Sequence, residues 1–213
     1  SDLATPMSGA PTLCGADADW SFFRDAGFHE GMVQTDPARQ VEGQGVKRHP
    51  AEDDIRSKSA RGLVQFGIKH ILKPPRSVPI GVYRIGPVVL GTLPGEFTTI
   101  LGRRIAAAIQ AQSPGASRVL LVGLANEYMS YFTTEEEYGL QTYEGSSMMY
   151  GPRAGTRVRD DLAALAKDLS QAPLRTKLLL YRYGAGPRSR FGVKEFDLLS
   201  HRDRLVVTHN SLD

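Results

Sequence analysis

A single cysteine, Cys14, stands in the 213 residues, which excludes an intrachain disulfide and any CxxC zinc motif. It leaves the redox compartment open. Histidine is scarce and scattered: His29, His49, His70, His201 and His209 share no HxH, HExxH or HxxxH spacing, so no local zinc motif exists. The GxSxG nucleophile elbow is absent, and Ser146-Ser147 has no paired base nearby. The Gly-rich GAGP at 184–187 lacks the strand-to-helix setting and the lysine of a phosphate loop. No apolar run approaches the ~20 residues of a membrane-spanning helix. The formal charge is only +3 and its lysines and arginines are dispersed, so nucleic acid is not expected as a partner, while a membrane surface stays open. The chain shows no signal peptide, but it opens SDLATPMSGAPTL without an initiator Met and reads like an internal stretch, so this says nothing about targeting.

What is present is a globular composition, 41% hydrophobic and 23% charged, without repeats or low-complexity tracts. Residues 1–75 are rich in Gly, Pro, Asp and Ala and are expected to wrap a neighbouring surface, with Trp20, Phe22, Phe23 and Phe28 as apolar anchors. Within them RGLVQFGIKHIL (61–72) reads as a short strand or a helical turn, ended by Pro74-Pro75. Residues 76–213 read as α/β. Ile80–Ile85 and Val88–Leu93 form two strands around Gly86-Pro87, and TTILGRRIAAAIQAQ (98–112) has the 3.6-residue apolar spacing of a helix capped by Thr98 or Thr99. RVLLVGLA (118–125) is a continuous apolar run, as expected of a strand buried on both faces. The fold class is therefore α/β, a mixed sheet with a βαβ unit at residues 80–125. Further on, Thr133 or Thr134 with Glu136 or Glu137 matches a capping box, 156–170 reads as an amphipathic helix with Val158, Leu162, Leu165 and Leu169 inward, and strands are expected at 177–183 and 204–209.

Two polar islands interrupt this pattern. LPGEFTT (93–99) follows the first strand of the βαβ unit, and Asn126 to Tyr131 follows the second. Parallel strands bring both to one carboxyl edge, where open α/β sheets carry their sites. Glu96 there is either a helix-dipole partner or a metal ligand or base. Tyr128, Tyr131, Tyr143 and Glu144 are either core caps or site residues.

The stretches LPGEFTTILGRR (93–104), VLL (119–121) and GLANEYMSYFTTEEEYGLQTYEGSSMMYGP (123–152) resemble the neutral ceramidase family, the neutral/alkaline non-lysosomal ceramidases, in order, spacing and identity. The segments 1–75 and 156–213 are similar only loosely. The resemblance implies the C-terminal part of a larger zinc-hydrolase catalytic domain that hydrolyses the N-acyl bond of ceramide to a sphingoid base and a fatty acid. It implies that Glu96, of Pro-Gly-Glu-Phe-Thr, and Tyr131, the second tyrosine of Asn-x-Tyr-x-x-Tyr, are two of four Zn²⁺ ligands. Tyr143, of Gln-x-Tyr-Glu, would line the site beside the scissile amide. The family's two zinc histidines, with a serine and an arginine of the site, belong to a preceding segment that has no counterpart here. A missing N-terminal segment or a second chain is therefore the expected source of the two His ligands. Met148-Met149 stand where a Ser-Thr-Leu-like run is expected, which alters the wall near the site. A zinc amidase acting on another N-acyl amine, and a non-catalytic binding module that has lost the metal, are the alternatives. The resemblance also implies a secreted, periplasmic or cell-surface location.

Overall fold

The computed structural model describes residues 3–16, 21–50, 62, 75 and 77–171, and beyond them the backbone of strands at 177–181, 193–197 and 207–211. Its elements run α1 (Phe22–Asp25), β1 (Pro79–Ile85), β2 (Val88–Thr92), β3 (Glu96–Phe97), α2 (Thr99–Ala111), β4 (Arg118–Val122), β5 (Tyr131–Phe132), α3 (Glu135–Leu140), α4 (Tyr143–Ser147), α5 (Ala154–Gln171), β6 (Lys177–Tyr181), β7 (Val193–Asp197) and β8 (Val207–Ser211). Trp20, and all of the 61–72 stretch except Gly62, lie outside the described residues.

Gly86-Pro87 closes a two-residue hairpin in which Ile85 faces Val88. Gly86 takes φ 57°, a conformation that a Cβ disfavours. β2 then runs parallel to β4, from Val88↔Arg118 to Thr92↔Val122, with α2 as the crossover, so the expected βαβ unit is present. β8 adds antiparallel to β1, giving the mixed order β4-β2-β1-β8. Its span, Val207–Ser211, falls later than 204–209, and its pairing runs from Tyr83↔Val207 to Pro79↔Ser211.

The core lies between sheet and helices. Leu101, Ile105 and Ile109 project from α2 at four-residue spacing and meet Val158, Leu162, Leu165 and Leu169 of α5 together with Ile80, Val82 and Val89 of the sheet. Burying each large aliphatic chain contributes about 1.5–3 kcal/mol, as an upper bound.

One expectation is overturned. The apolar run at 118–122 is not buried on both faces, because only the face of β4 turned to the core is covered. Val119 and Leu121 pack on the core, whereas Leu120 and Val122 are each 44% exposed. Phe22 is likewise no anchor, at 51% exposed; Phe23 and Phe28 instead join Ala10, Cys14, Ala26 and Met32 in a second small cluster.

Candidate functional site at the carboxyl edge of the βαβ unit

The two polar islands meet along the backbone. Glu96 and Tyr131 are register partners in a short parallel pair, β3 with β5, followed by Phe97 and Phe132, whose rings stack at 4.6 Å. The Met129 N–H donates to the Pro94 carbonyl at 2.7 Å, Glu96 N–H to Ser130 at 3.0 Å and Leu124 N–H to Gly95 at 3.2 Å. Gly95 is obligatory, since a Cβ there would collide with the Ser130 carbonyl oxygen. Leu124, Asn126 and Ser130 sit at φ 55°, 73° and 67°, three non-glycine residues in the left-handed region within one loop. Each costs on the order of 1–3 kcal/mol, which the backbone bonds and the Asn126 side chain, donating to the Pro79 carbonyl at 3.2 Å, must offset. Strain of this kind clusters where side chains have to be aimed.

What the loop aims are phenols. The Tyr128 hydroxyl donates to Glu96 Oε1 at 2.7 Å, and Tyr131 sits beside Glu96 as its register partner. Partial burial, then the bond to Glu96 and its charge, push the Tyr128 phenol up to about 12 and raise Tyr131 as well. The Tyr143 ring meets that of Tyr131 edge-on, centroids 5.4 Å apart at 75°. Glu96, Tyr131 and Tyr143 are thus brought to one place. Tyr128 emerges as Glu96's partner, a role that the Asn-x-Tyr-x-x-Tyr spacing could have signalled.

The carboxylate opens onto a cleft of about 560 Å³ whose polar wall includes Glu96, Tyr131, Glu137 and Glu144. Ile100 and Leu140, 49% and 64% exposed, form an apolar rim. Glu137 is already engaged: it completes the capping box with Thr134 that the sequence predicts and accepts from the Thr98 hydroxyl at 2.7 Å. Thr98 therefore occupies the N-cap of α2 without capping it through its side chain. Glu144 accepts from the Thr142 hydroxyl at 3.1 Å. Met148 does not form a wall of this cleft. It is fully buried, and its sulfur accepts from the Thr133 N–H at 3.3 Å, so its place is in the core.

Two oxygen donors, a carboxylate and a phenol held side by side by strand pairing, suit half of a zinc site. They do not complete one: no group of three or more His, Cys, Asp or Glu among the described residues could hold a metal. His29 points elsewhere, its Nδ1 2.8 Å from the Glu30 carbonyl on the exposed surface.

A second polar cluster went unread in the sequence. Lys47 is fully buried, and its Nζ donates to the carbonyls of Met7 at 3.2 Å, Ser146 at 3.0 Å and Met148, with the Tyr138 ring 4.8 Å away. Burial alone pushes the ammonium down to about 7. Three carbonyl acceptors and a ring face act the other way, because a neutral amine has only two hydrogens to give. Gln44, also buried, donates to the Thr5 and Met149 carbonyls at 2.7 Å each, and the Tyr138 hydroxyl lies 2.8 Å from both Gln44 oxygens.

Fold and site together define an α/β protein with a carboxylate–phenol site at the carboxyl edge of a parallel strand pair. The family described as neutral/alkaline non-lysosomal ceramidase, N-terminal, matches residues 2–158. Neutral ceramidase 3 of Arabidopsis thaliana is 31% identical over 154 residues, covering 68% of this chain and 21% of the relative. The neutral ceramidase of Pseudomonas aeruginosa is 49% identical over 80 residues, 37% of this chain and 12% of its own. The crystal structure of the Pseudomonas aeruginosa enzyme superposes with a TM-score of 0.52 at 29% identity, covering 79% of this chain and 24% of that one. A ceramidase complexed with C2 shares the fold at TM-score 0.53 and 24% identity, over 93% of this chain and 30% of that one. The chain belongs to the neutral/alkaline non-lysosomal ceramidase family. It spans about a fifth of the length of relatives such as the Arabidopsis protein.

Proposed function

We propose that this chain supplies one side of the active site of a zinc-dependent amidohydrolase that cleaves the N-acyl bond of ceramide. The observation that carries this reading is the register pairing of Glu96 with Tyr131, with the Tyr143 ring set against Tyr131. In the reaction, water adds to the acyl carbon, the C–N bond breaks, and the amine leaves with a proton as the sphingoid base while the acyl group leaves as a fatty acid. Zinc, when bound, supplies Lewis acidity and a water whose pKa falls toward ~7. Glu96 and Tyr131 would hold it, with two histidines brought by a segment or chain outside this one. Tyr128 keeps the Glu96 carboxylate oriented. Tyr143 donates its hydroxyl proton as a hydrogen bond to the oxygen that becomes negative as the carbonyl is attacked. Ile100 and Leu140 offer apolar surface at the cleft mouth to a lipid chain.

A ceramide substrate resides in lipid, so this reading carries a membrane surface as the place of work and a secreted, periplasmic or cell-surface location. No helix among the described residues is long and apolar enough to cross a membrane. One observation favours a second reading, a binding module without metal: among the described residues no group of three or more His, Cys, Asp or Glu could hold a metal ion. Elemental analysis of the natively purified protein, with every co-purifying chain identified by mass spectrometry, separates the two. About one zinc per complex, lost in Glu96→Ala and Tyr131→Ala together with ceramide hydrolysis, is expected. No zinc in the native complex overturns the amidase reading.

A further inference from the structure

The helix that carries Tyr143 is only five residues long and cannot hold itself. Its N-cap, Thr142, makes no side-chain capping bond, the Thr142 hydroxyl being turned to Glu144. A helix of one turn leaves nearly all of its amides and carbonyls without internal partners. Here those partners come from a distant part of the chain. Glu30 Oε1 accepts from the backbone N–H of Tyr143 itself at 2.7 Å, across 113 positions of sequence. Beside it, Gly31 N–H donates to the Gln141 carbonyl at 2.9 Å. At the other end, Lys47 Nζ takes the Ser146 and Met148 carbonyls. A carboxylate thus holds the amide end of α4 and an ammonium holds its carbonyl end, the signs that the dipoles of the turn favour.

We propose that Glu30 is a positioning residue for Tyr143, fixing the backbone from which the phenol reaches the scissile amide. Lys47 anchors the same turn from its far end. The inference rests on the role of Tyr143 given above. Glu30 is not among the residues that line the cleft, and its contact with the site is the Tyr143 amide. Glu30→Gln keeps an oxygen acceptor at that amide, whereas Glu30→Ala leaves the amide unpaired and frees the turn to rotate.

The test compares wild type, Glu30→Ala and Glu30→Gln in the natively purified complex. It reads kcat and KM on a short-chain ceramide, zinc content, Tm, and the ring signal of Tyr143 by NMR with labelled tyrosine. A displacement of about 1 Å at a reacting group costs on the order of 10²-fold, so Glu30→Ala should lower kcat about 10- to 100-fold. KM and zinc content should stay within about twofold. Its Tyr143 signal should shift, and Glu30→Gln should restore both kcat and signal. An unchanged Tyr143 signal in Glu30→Ala overturns the inference. So does an equal loss in both variants that tracks Tm. If wild type hydrolyses no ceramide, the amidase reading fails by itself, and the Tyr143 signal alone then decides whether Glu30 positions the ring.

Discussion

Two polar clusters lie within this fold, and they are built on opposite plans. Around Glu96, the groups are half-buried or exposed, bond mainly to one another, and ride on a loop with three residues at positive φ. Around Lys47 and Gln44, they are fully buried and bond mainly to backbone carbonyls. The first arrangement spends backbone strain to aim side chains outward. The second uses charge to tie irregular chain to α4. Burial and ionisable character therefore do not by themselves mark chemistry. What distinguishes the site is polar side chains that remain reachable and are oriented by each other.

That contrast predicts which substitutions strike catalysis and which strike stability. The largest effect on chemistry should come from Tyr143→Phe, which removes one hydroxyl and leaves the ring against Tyr131. Loss of one oxyanion donor costs on the order of 10²–10³-fold in kcat. Ceramide hydrolysis should fall by that factor with Tm and zinc content essentially those of wild type. A comparable fall in Tm would place Tyr143 with the structural cluster and erase the contrast.

Lys47→Met should do the reverse. It strands the carbonyls that Lys47 serves at Met7 and Met148 and takes one of two donors from that of Ser146, which keeps the Gly9 N–H at 2.8 Å. Buried acceptors left without donors cost about 1–3 kcal/mol each, offset by the desolvation that the lost ammonium no longer suffers, for a net loss of about 2–4 kcal/mol in denaturant unfolding. The pH dependence sharpens the point. Because burial pushes Lys47 down to about 7, the unfolded chain binds more protons than the folded one from there up to the ordinary lysine value. The Lys47 contribution to stability therefore rises with pH across that window and is flat below it. The gap between wild type and Lys47→Met should widen by about 1–2 kcal/mol between pH 7 and pH 9, less than burial alone would give, since the three carbonyls favour the ammonium. A gap that narrows with rising pH would show the carbonyls outweighing burial.

The two clusters also differ in how far the sequence foretold them. The βαβ unit was legible because apolar residues recur at 3.6 spacing through 98–112 and in strand-length runs on either side. The meeting of the two polar islands was legible because they stand just past two parallel strands. The choice of Glu96 and Tyr131 within them came from the resemblance of Pro-Gly-Glu-Phe-Thr and Asn-x-Tyr-x-x-Tyr. Lys47, Gln44 and Glu30 lay in a Gly- and Pro-rich stretch without periodicity, where a charged residue reads as solvated. Most of their partners are backbone groups about 40 to more than 100 positions away, and a carbonyl has no letter in the sequence. The apolar strand 118–122 misled for another reason: composition reports that both faces are greasy, not that both are covered.

Tyr128 tests the border between the clusters. It is 53% exposed, so its ring contributes little to the core, yet its hydroxyl holds Glu96 Oε1 at 2.7 Å. If reachable polar groups that orient one another define the site, Tyr128→Phe should leave the unfolding free energy within ~0.5 kcal/mol, as for other surface changes. It should weaken zinc binding about tenfold, as removal of a ligand's supporting hydrogen bond does. Competition against a chelator of known affinity reads this directly, without a lipid substrate. A loss of stability with zinc affinity intact would mean that the Tyr128–Glu96 bond braces the strained 124–130 loop, and that the carboxylate is oriented by strand pairing with Tyr131 alone.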